Sequence, residues 1–239
     1  MRIAVVNYCG TVGKTTVASH LLAPRLPGAE MFAVETVNET AADLGLPVEQ
    51  LPGSRFGDLF KVLLACDSAI IDVGASNAEA FIGRMAEFDG SHLEIDYFVI
   101  PATSGTREQK ETIKTIKALA LVGVPGERIR VLFNRVHDDV VDEFAPLFGF
   151  AEQTQTCMAD PGASIHENEV FNLLNEKKTT IAAVLADDTD YKALIRSLDR
   201  EKDAKRVQLA ADMHAIKSLA RAVQRQLDTT YASLFKAAA

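Results

Sequence analysis

Cysteine is scarce and scattered. Cys9, Cys66 and Cys157 are the three in 239 residues, too few and too far apart for a disulfide framework or a paired zinc site. That usage suits a reducing compartment, and the expected location is the cytoplasm. No stretch approaches the roughly eighteen consecutive apolar residues that a membrane-crossing helix needs. The opening MRIAVVNYCG runs into a glycine-containing loop rather than an apolar stretch with a cleavage site, so no leader peptide is expected. Internal repeats and low-complexity tracts are also missing. Positive charge is in short supply: 25 Lys and Arg stand against 33 Asp and Glu, net −8, which weakens any reading as a protein that coats nucleic acid. The deficit is uneven. Residues 199–239 hold eight Lys and Arg against five Asp and Glu, a basic tail on an acidic body that hints at a second surface for DNA, lipid or a partner protein.

What is present is an alternation of short apolar runs with amphipathic segments. Ile3–Asn7 reads as a strand, Lys14–Leu26 as a helix closed by Pro24 and Pro27-Gly28, and Met31–Val37 as a second strand. Phe56, Leu59, Phe60, Leu63 and Leu64 fall on one helical face. Ser68–Val73 follows as a buried strand, then a helix through Phe81, Ile82, Met85 and Phe88, and a strand Ile95–Ile100 stopped by Pro101. A helix from about Arg107 to Val122 and a strand Ile129–Phe133 ending at Asn134 continue the pattern. Further helices are expected near Asp138–Leu147, Glu167–Asn175 and Tyr191–Leu198, with a strand around Thr154–Met158. Continuous apolar strands separated by helices imply a parallel sheet covered on both faces, so the fold class is a doubly wound α/β domain over 1–198. Residues 199–239 differ. Leu209, Met213, Ile216, Ala220, Val223, Leu227 and Leu234 follow a 4,3 alternation broken only at Thr230, which predicts one long amphipathic helix. Its stripe could pack on its own domain, pair with a second copy, dock a partner or lie weakly on a membrane surface.

The chemistry concentrates in IAVVNYCGTVGKTT, residues 3–16, where a strand, a loop and Gly13-Lys14-Thr15-Thr16 open a helix. Backbone N–H groups of such a loop converge on phosphate oxygens, and the helix dipole favours their charge. Gly10 and Gly13 allow close backbone approach. Cys9, Gly10, Thr11, Val12, Gly13, Lys14, Thr15 and Thr16 are therefore the candidate phosphate-binding residues. Lys14 would reach the β- and γ-phosphates, and the Thr15 hydroxyl would coordinate Mg²⁺. The strict phosphate-loop pattern wants Gly five residues before Gly13, where Tyr8 stands. Asp72, closing Ala69-Ile70-Ile71-Asp72, supplies an oxygen ligand that a hard cation favours. A coincidental strand-to-helix turn and a strand-end carboxylate are the plain alternatives for these two features.

IAVVNYCGTVGKTTVASHLL resembles the deviant Walker A segment of the ParA/MinD group of ATPases, usually Asn-Gln-Lys-Gly-Gly-Val-Gly-Lys-Thr-Thr. Asn7, Gly10, Val12, Gly13, Lys14, Thr15 and Thr16 match, whereas Tyr8, Cys9 and Thr11 depart. The resemblance covers most of residues 1–200 and implies ATP and Mg²⁺ as cofactors, weak ATP hydrolysis and a nucleotide-dependent homodimer. It makes Asp72 the Walker B carboxylate and Val73-Gly74-Ala75-Ser76 the second switch. It further implies that Asn134 hydrogen-bonds the adenine edge and that Asp160-Pro161-Gly162-Ala163 closes over the base, placing Pro161 and Gly162 at the nucleotide. In the family a signature lysine, at the position of Cys9, crosses to the partner's phosphates; a thiol cannot, and Arg107 or Lys110 would have to substitute. The first switch of the family carries Asp-x-Asp. Here Glu35 stands at the first position and Val37 at the second, leaving Glu39 or Asp43 to orient water. Within the superfamily the chain looks most like StbB-type proteins of conjugative plasmids, which implies a role in plasmid stability, positioning or transfer.

Three functions compete at this point: an ATPase switch, a nucleotide-binding adaptor with little turnover, and a metabolic phosphate-loop enzyme such as an amidoligase or small-molecule kinase. A plasmid-encoded DNA-binding protein, or DNA itself, is the expected partner of the first. Lys177, Lys178, Arg196, Arg200, Lys202, Lys205 and Arg206 are the candidate DNA contacts, or else solvated helix charges.

Overall fold

A computed structural model describes residues 1–35 and 41–236. In chain order the elements are β1 (Arg2–Val5), α1 (Lys14–Thr16), β2 (Glu30–Val34), β3 (Glu49–Leu51), α2 (Phe56–Leu63), β4 (Ala69–Val73), α3 (Ala75–Glu87) and β5 (Tyr97–Ala102). There follow α4 (Thr106–Val122), β6 (Ile129–Val136), α5 (Val140–Glu143), α6 (Ala145–Thr154), β7 (Ser164–His166), α7 (Val170–Glu176), α8 (Ile181–Ala186), α9 (Tyr191–Ser197) and α10 (Ala204–Leu234). α1 runs on as a wider π-helical stretch, Val17–Leu22, before a tight turn at Ala23–Arg25.

The seven strands form one sheet in the order β3-β2-β4-β1-β5-β6-β7, every pairing parallel. Parallel neighbours need crossovers, and the helices that make them cover both faces. Successive residues of β1 and the position after it show how: Ala4 and Val6 enter one core layer with Phe32, Ile71, Phe81 and Phe98, while Ile3 and Val5 enter the other with Val17, Leu21, Ile70 and Leu132. The first layer is filled from α2, α3, α4 and α6. The second is filled from the α1 segment, α7, α8 and α10. The expected doubly wound sheet is thus observed.

The stripe on α10 belongs to this second layer. Ile216, Ala220, Val223, Leu227 and Leu234 are buried in it, and Arg25 binds Asp228 at 2.7 Å. Thr230 does not interrupt the seam, because its hydroxyl donates to the Ser164 carbonyl at 2.6 Å. Leu209, near the helix start, remains exposed. Among the described residues no helix is long and apolar enough to cross a membrane.

Other expectations are corrected. Pro101 does not stop its strand: β5 continues to Ala102, with Pro101 opposite Leu132. Its carbonyl faces the β1 side, where it accepts from Asn7 Nδ2 at 2.8 Å, so its missing N–H falls where β1 has already turned away. β6 likewise runs past Asn134 to Val136. Residues 154–158 give only an isolated bridge from Met158 to Arg130, and the edge strand is β7 instead. The expected 138–147 helix is divided into α5 and α6.

His20, in the α1 segment, is buried in the second layer and accepts the Ile181 N–H on Nδ1 at 3.3 Å. Burial holds its pKa down to about 4, from 6.5. An unfolded chain therefore takes up a proton between pH 6.5 and 4 that the folded chain refuses. The corresponding stability is complete above pH 6.5 and lost as pH falls toward 4, by roughly 3 kcal/mol. His20→Gln, which keeps an acceptor, should flatten that slope in urea titrations from pH 4 to 7; an unchanged slope would assign it to other groups.

Candidate functional site

The ends of β1, β2, β4 and β6 open on a cavity of about 620 Å³, within the roughly 300–1,000 Å³ of ordinary ligand sites. Gly10, Thr11, Gly13, Lys14, Thr15 and Thr16 form its floor, at the switch from β1 to α1. The loop is braced from beneath. Asn7, fully buried, donates to Pro101 O and to Thr112 Oγ1, both at 2.8 Å, and its Oδ1 accepts the Cys9 N–H at 2.9 Å. Gly13 has φ 83°, and a Cβ there would stand 2.4 Å from Asn134 Nδ2, so only glycine fits.

Lys14 is 5% exposed, and its ammonium donates to Asn7 O (3.1 Å) and Cys9 O (2.6 Å). Burial lowers its pKa, against the opposing pull of Asp72, Cys9 and Glu35. Thr15 Oγ1 donates to Asp72 Oδ2 at 2.7 Å, while Asp72 Oδ1 is buried with no partner. Burial pushes the Asp72 carboxyl up to about 6, opposed by the Thr15 hydrogen bond and by Lys14. A hydroxyl and an orphaned carboxylate oxygen beside a glycine-containing loop at a helix start fit Mg²⁺, which takes few protein ligands and completes its shell with water and phosphate. Among the described residues no group of three His, Cys, Asp or Glu could hold a metal ion.

Glu35 closes β2 and also lines the cavity. Its Oε1 accepts from Ser76 Oγ (3.2 Å) and Asn77 Nδ2 (3.3 Å), and a Cβ on Gly74 would lie 1.8 Å from its Oε2. The carboxylate therefore clamps the turn after β4. Asp43 lines the cavity as well. Glu39 and Val37 lie outside the described residues.

Several candidate residues stand off the cavity wall. Asn134 Nδ2 donates to Val12 O at 2.8 Å and its Oδ1 accepts the Arg135 N–H at 3.0 Å, so its amide braces the loop from below and does not line the cavity. Pro161 and Gly162 are exposed and also stand off the cavity wall; a Cβ on Gly162 would meet Ser233 of α10. Cys9, half-buried, contributes its carbonyl rather than its thiol, and Val12 is buried beneath the floor. Arg107 and Lys110, exposed on α4, are not on the wall. Its cations besides Lys14 are Arg135, inside β6, and Lys178, just after α7, and patterning placed neither at this cavity.

Neither family models nor curated proteins give a match to this chain. Solved structures do. Apo McdA of Cyanothece aligns with a TM-score of 0.56 at 16% identity, over 77% of this chain and 92% of that one. MinD of Aquifex aeolicus, a cell division protein, aligns at 0.51 and 14% identity over 94% and 97%. A chain of the MinC:MinD complex of the same organism aligns at 0.50 and 14% over 76% and 87%. The fold is that of the ParA/MinD-type P-loop ATPases.

Proposed function

We propose that this chain is an ATP-binding switch of the ParA/MinD type, with slow ATP hydrolysis and a nucleotide-dependent dimer. The observation that carries the reading is the loop itself. Lys14, Thr15 and Asp72 converge at one end of a ligand-sized cavity, with Lys14 donating to loop carbonyls that a polyphosphate would outcompete as acceptors. Thr15 and Asp72 would hold Mg²⁺, which neutralises phosphate charge, and Lys14 would bridge the terminal phosphates. Glu35 ties the end of β2 to the turn after β4, so a ligand that displaces one moves the other. The resemblance to StbB-type proteins extends the proposal to plasmid stability or conjugative transfer, with a plasmid-encoded DNA-binding protein as partner. MinD, bound to MinC in one of the similar structures, is a precedent for a protein partner.

A second reading, an adaptor with little turnover, is favoured by Glu35: the carboxylate at the first switch is spent on Ser76 and Asn77. Size-exclusion with light scattering tests both. A dimer formed with Mg²⁺ and a non-hydrolysable ATP analogue but not with ADP supports the switch. Binding with no change of mass supports the adaptor, and absence of binding rejects both.

A further inference from the structure

Among the described residues three non-glycine positions have a left-handed backbone, and two of them, both cationic, stand on the wall of the phosphate cavity. Arg135 has φ 55° and Lys178 φ 51°; the third, Gln155, caps α6. A side chain makes that conformation costlier than it is for glycine, and such strain gathers at functional sites. Each has a clear frame. Arg135 sits where the β6–β7 register slips between Asn134 and Val136. Lys178 follows α7: its N–H reaches Asn175 O and the Thr179 N–H reaches Leu174 O, both at 3.1 Å. That pair of bonds closes a helix in the manner that usually puts glycine at the position of Lys178.

Both side chains are exposed, and neither joins an ion pair among the described residues. The charges of the cavity are also divided by strand order. Glu35 and Asp72 close β2 and β4, on one side of β1, and Asp43 follows β2 in the chain. Arg135 and Lys178 come from β6 and the end of α7, on the other. Lys14, between them, is the single cation of the loop, and Cys9 adds none.

We propose that Arg135 and Lys178 bind the polyphosphate oxygens of a nucleoside di- or triphosphate, opposite the acidic side that takes the divalent cation. The inference rests on the nucleotide-binding reading above. Its test uses the full chain and fluorescent mant-AMP, mant-ADP and mant-ATP with Mg²⁺. Lys178→Gly relieves the left-handed strain, so this variant should melt at or above the native temperature and yet bind mant-ADP and mant-ATP at least tenfold more weakly, the size of one charge-assisted hydrogen bond. Arg135→Gly should weaken both to a similar extent. The loss should be smaller for mant-AMP, which carries one phosphate, and Lys178→Arg, which keeps a charged donor to phosphate, should stay within about threefold of native. Native mant-ATP affinity in both glycine variants, or an equal loss for AMP and ATP, overturns the inference and leaves nucleotide binding standing. If the unmodified chain binds none of the three, both fall.

Discussion

Replacing Lys14 by alanine should weaken Mg²⁺-ATP binding by at least a hundredfold while leaving the unliganded fold within about 1 kcal/mol of native. Hydrogen bonds from a charged donor contribute about 1.5–3 kcal/mol each, and a lysine bridging two phosphates makes two. A hundredfold corresponds to about 2.7 kcal/mol, so even the lower bound reaches it. For the free protein two effects oppose. The variant no longer buries an ammonium whose pKa is already depressed by desolvation, but it leaves the Asn7 and Cys9 carbonyls short of a donor. Titration with mant-ATP beside a thermal melt separates binding from folding. Affinity near native would remove Lys14 from the phosphates, and collapse of the melt would make it a structural buttress.

The middle of the sheet was legible because its strands are buried on both faces. β1, β4 and β5 are mainly apolar runs and β6 carries Val131-Leu132-Phe133 at its centre, and no helical period competes with them. The edges were not. β3 and β7 have three residues each, and Glu49-Gln50-Leu51 buries only Leu51, so neither carries a pattern above its loop. α8, IAAVLA, is apolar almost throughout and short enough to show no period at all. Pro101 misled for a physical reason. A proline forbids one N–H, and what matters is which neighbour that N–H would have faced; in β5 it faces the emptied side of β1.

At the site, the chain-local features read well and the side-chain directions did not. Gly13-Lys14-Thr15-Thr16 and Asp72 meet as expected, because a strand-loop-helix turn and a neighbouring strand end leave them little choice. Asn134, for which the resemblance implies a base edge, donates from Nδ2 to Val12 O at 2.8 Å, a contact that no strand pattern shows. Lys178 is offered by the sequence only as a DNA contact, and neither wall cation is placed at the cavity by it, since both positions depend on left-handed backbone, which composition does not reveal when the residue is not glycine.

The long helix offers the second large effect. Leu227→Asp should abolish cooperative folding of the whole chain, not merely detach α10. Leu227 is fully buried in the layer that holds Ile3, Val5, Val17, Leu21 and Ile70, from β1, β4 and the α1 segment that follows the Gly10–Thr16 loop. An unpaired carboxylate there costs several kcal/mol, and the lost apolar contact adds to it, against a stability of roughly 5–15 kcal/mol for a domain. Leu227→Ala, which keeps the site apolar, should cost about 2–5 kcal/mol and preserve one transition. If residues 204–234 were an appendage, the aspartate variant would keep its nucleotide affinity and lose only part of its helical signal. Circular dichroism through a urea titration, read beside mant-ADP binding, distinguishes these. Loss of both signals together would make α10 the lid of the second core layer. That would also explain why Arg25, at the end of the α1 segment, reaches across to Asp228: the loop's helix is held in place by the last helix of the chain.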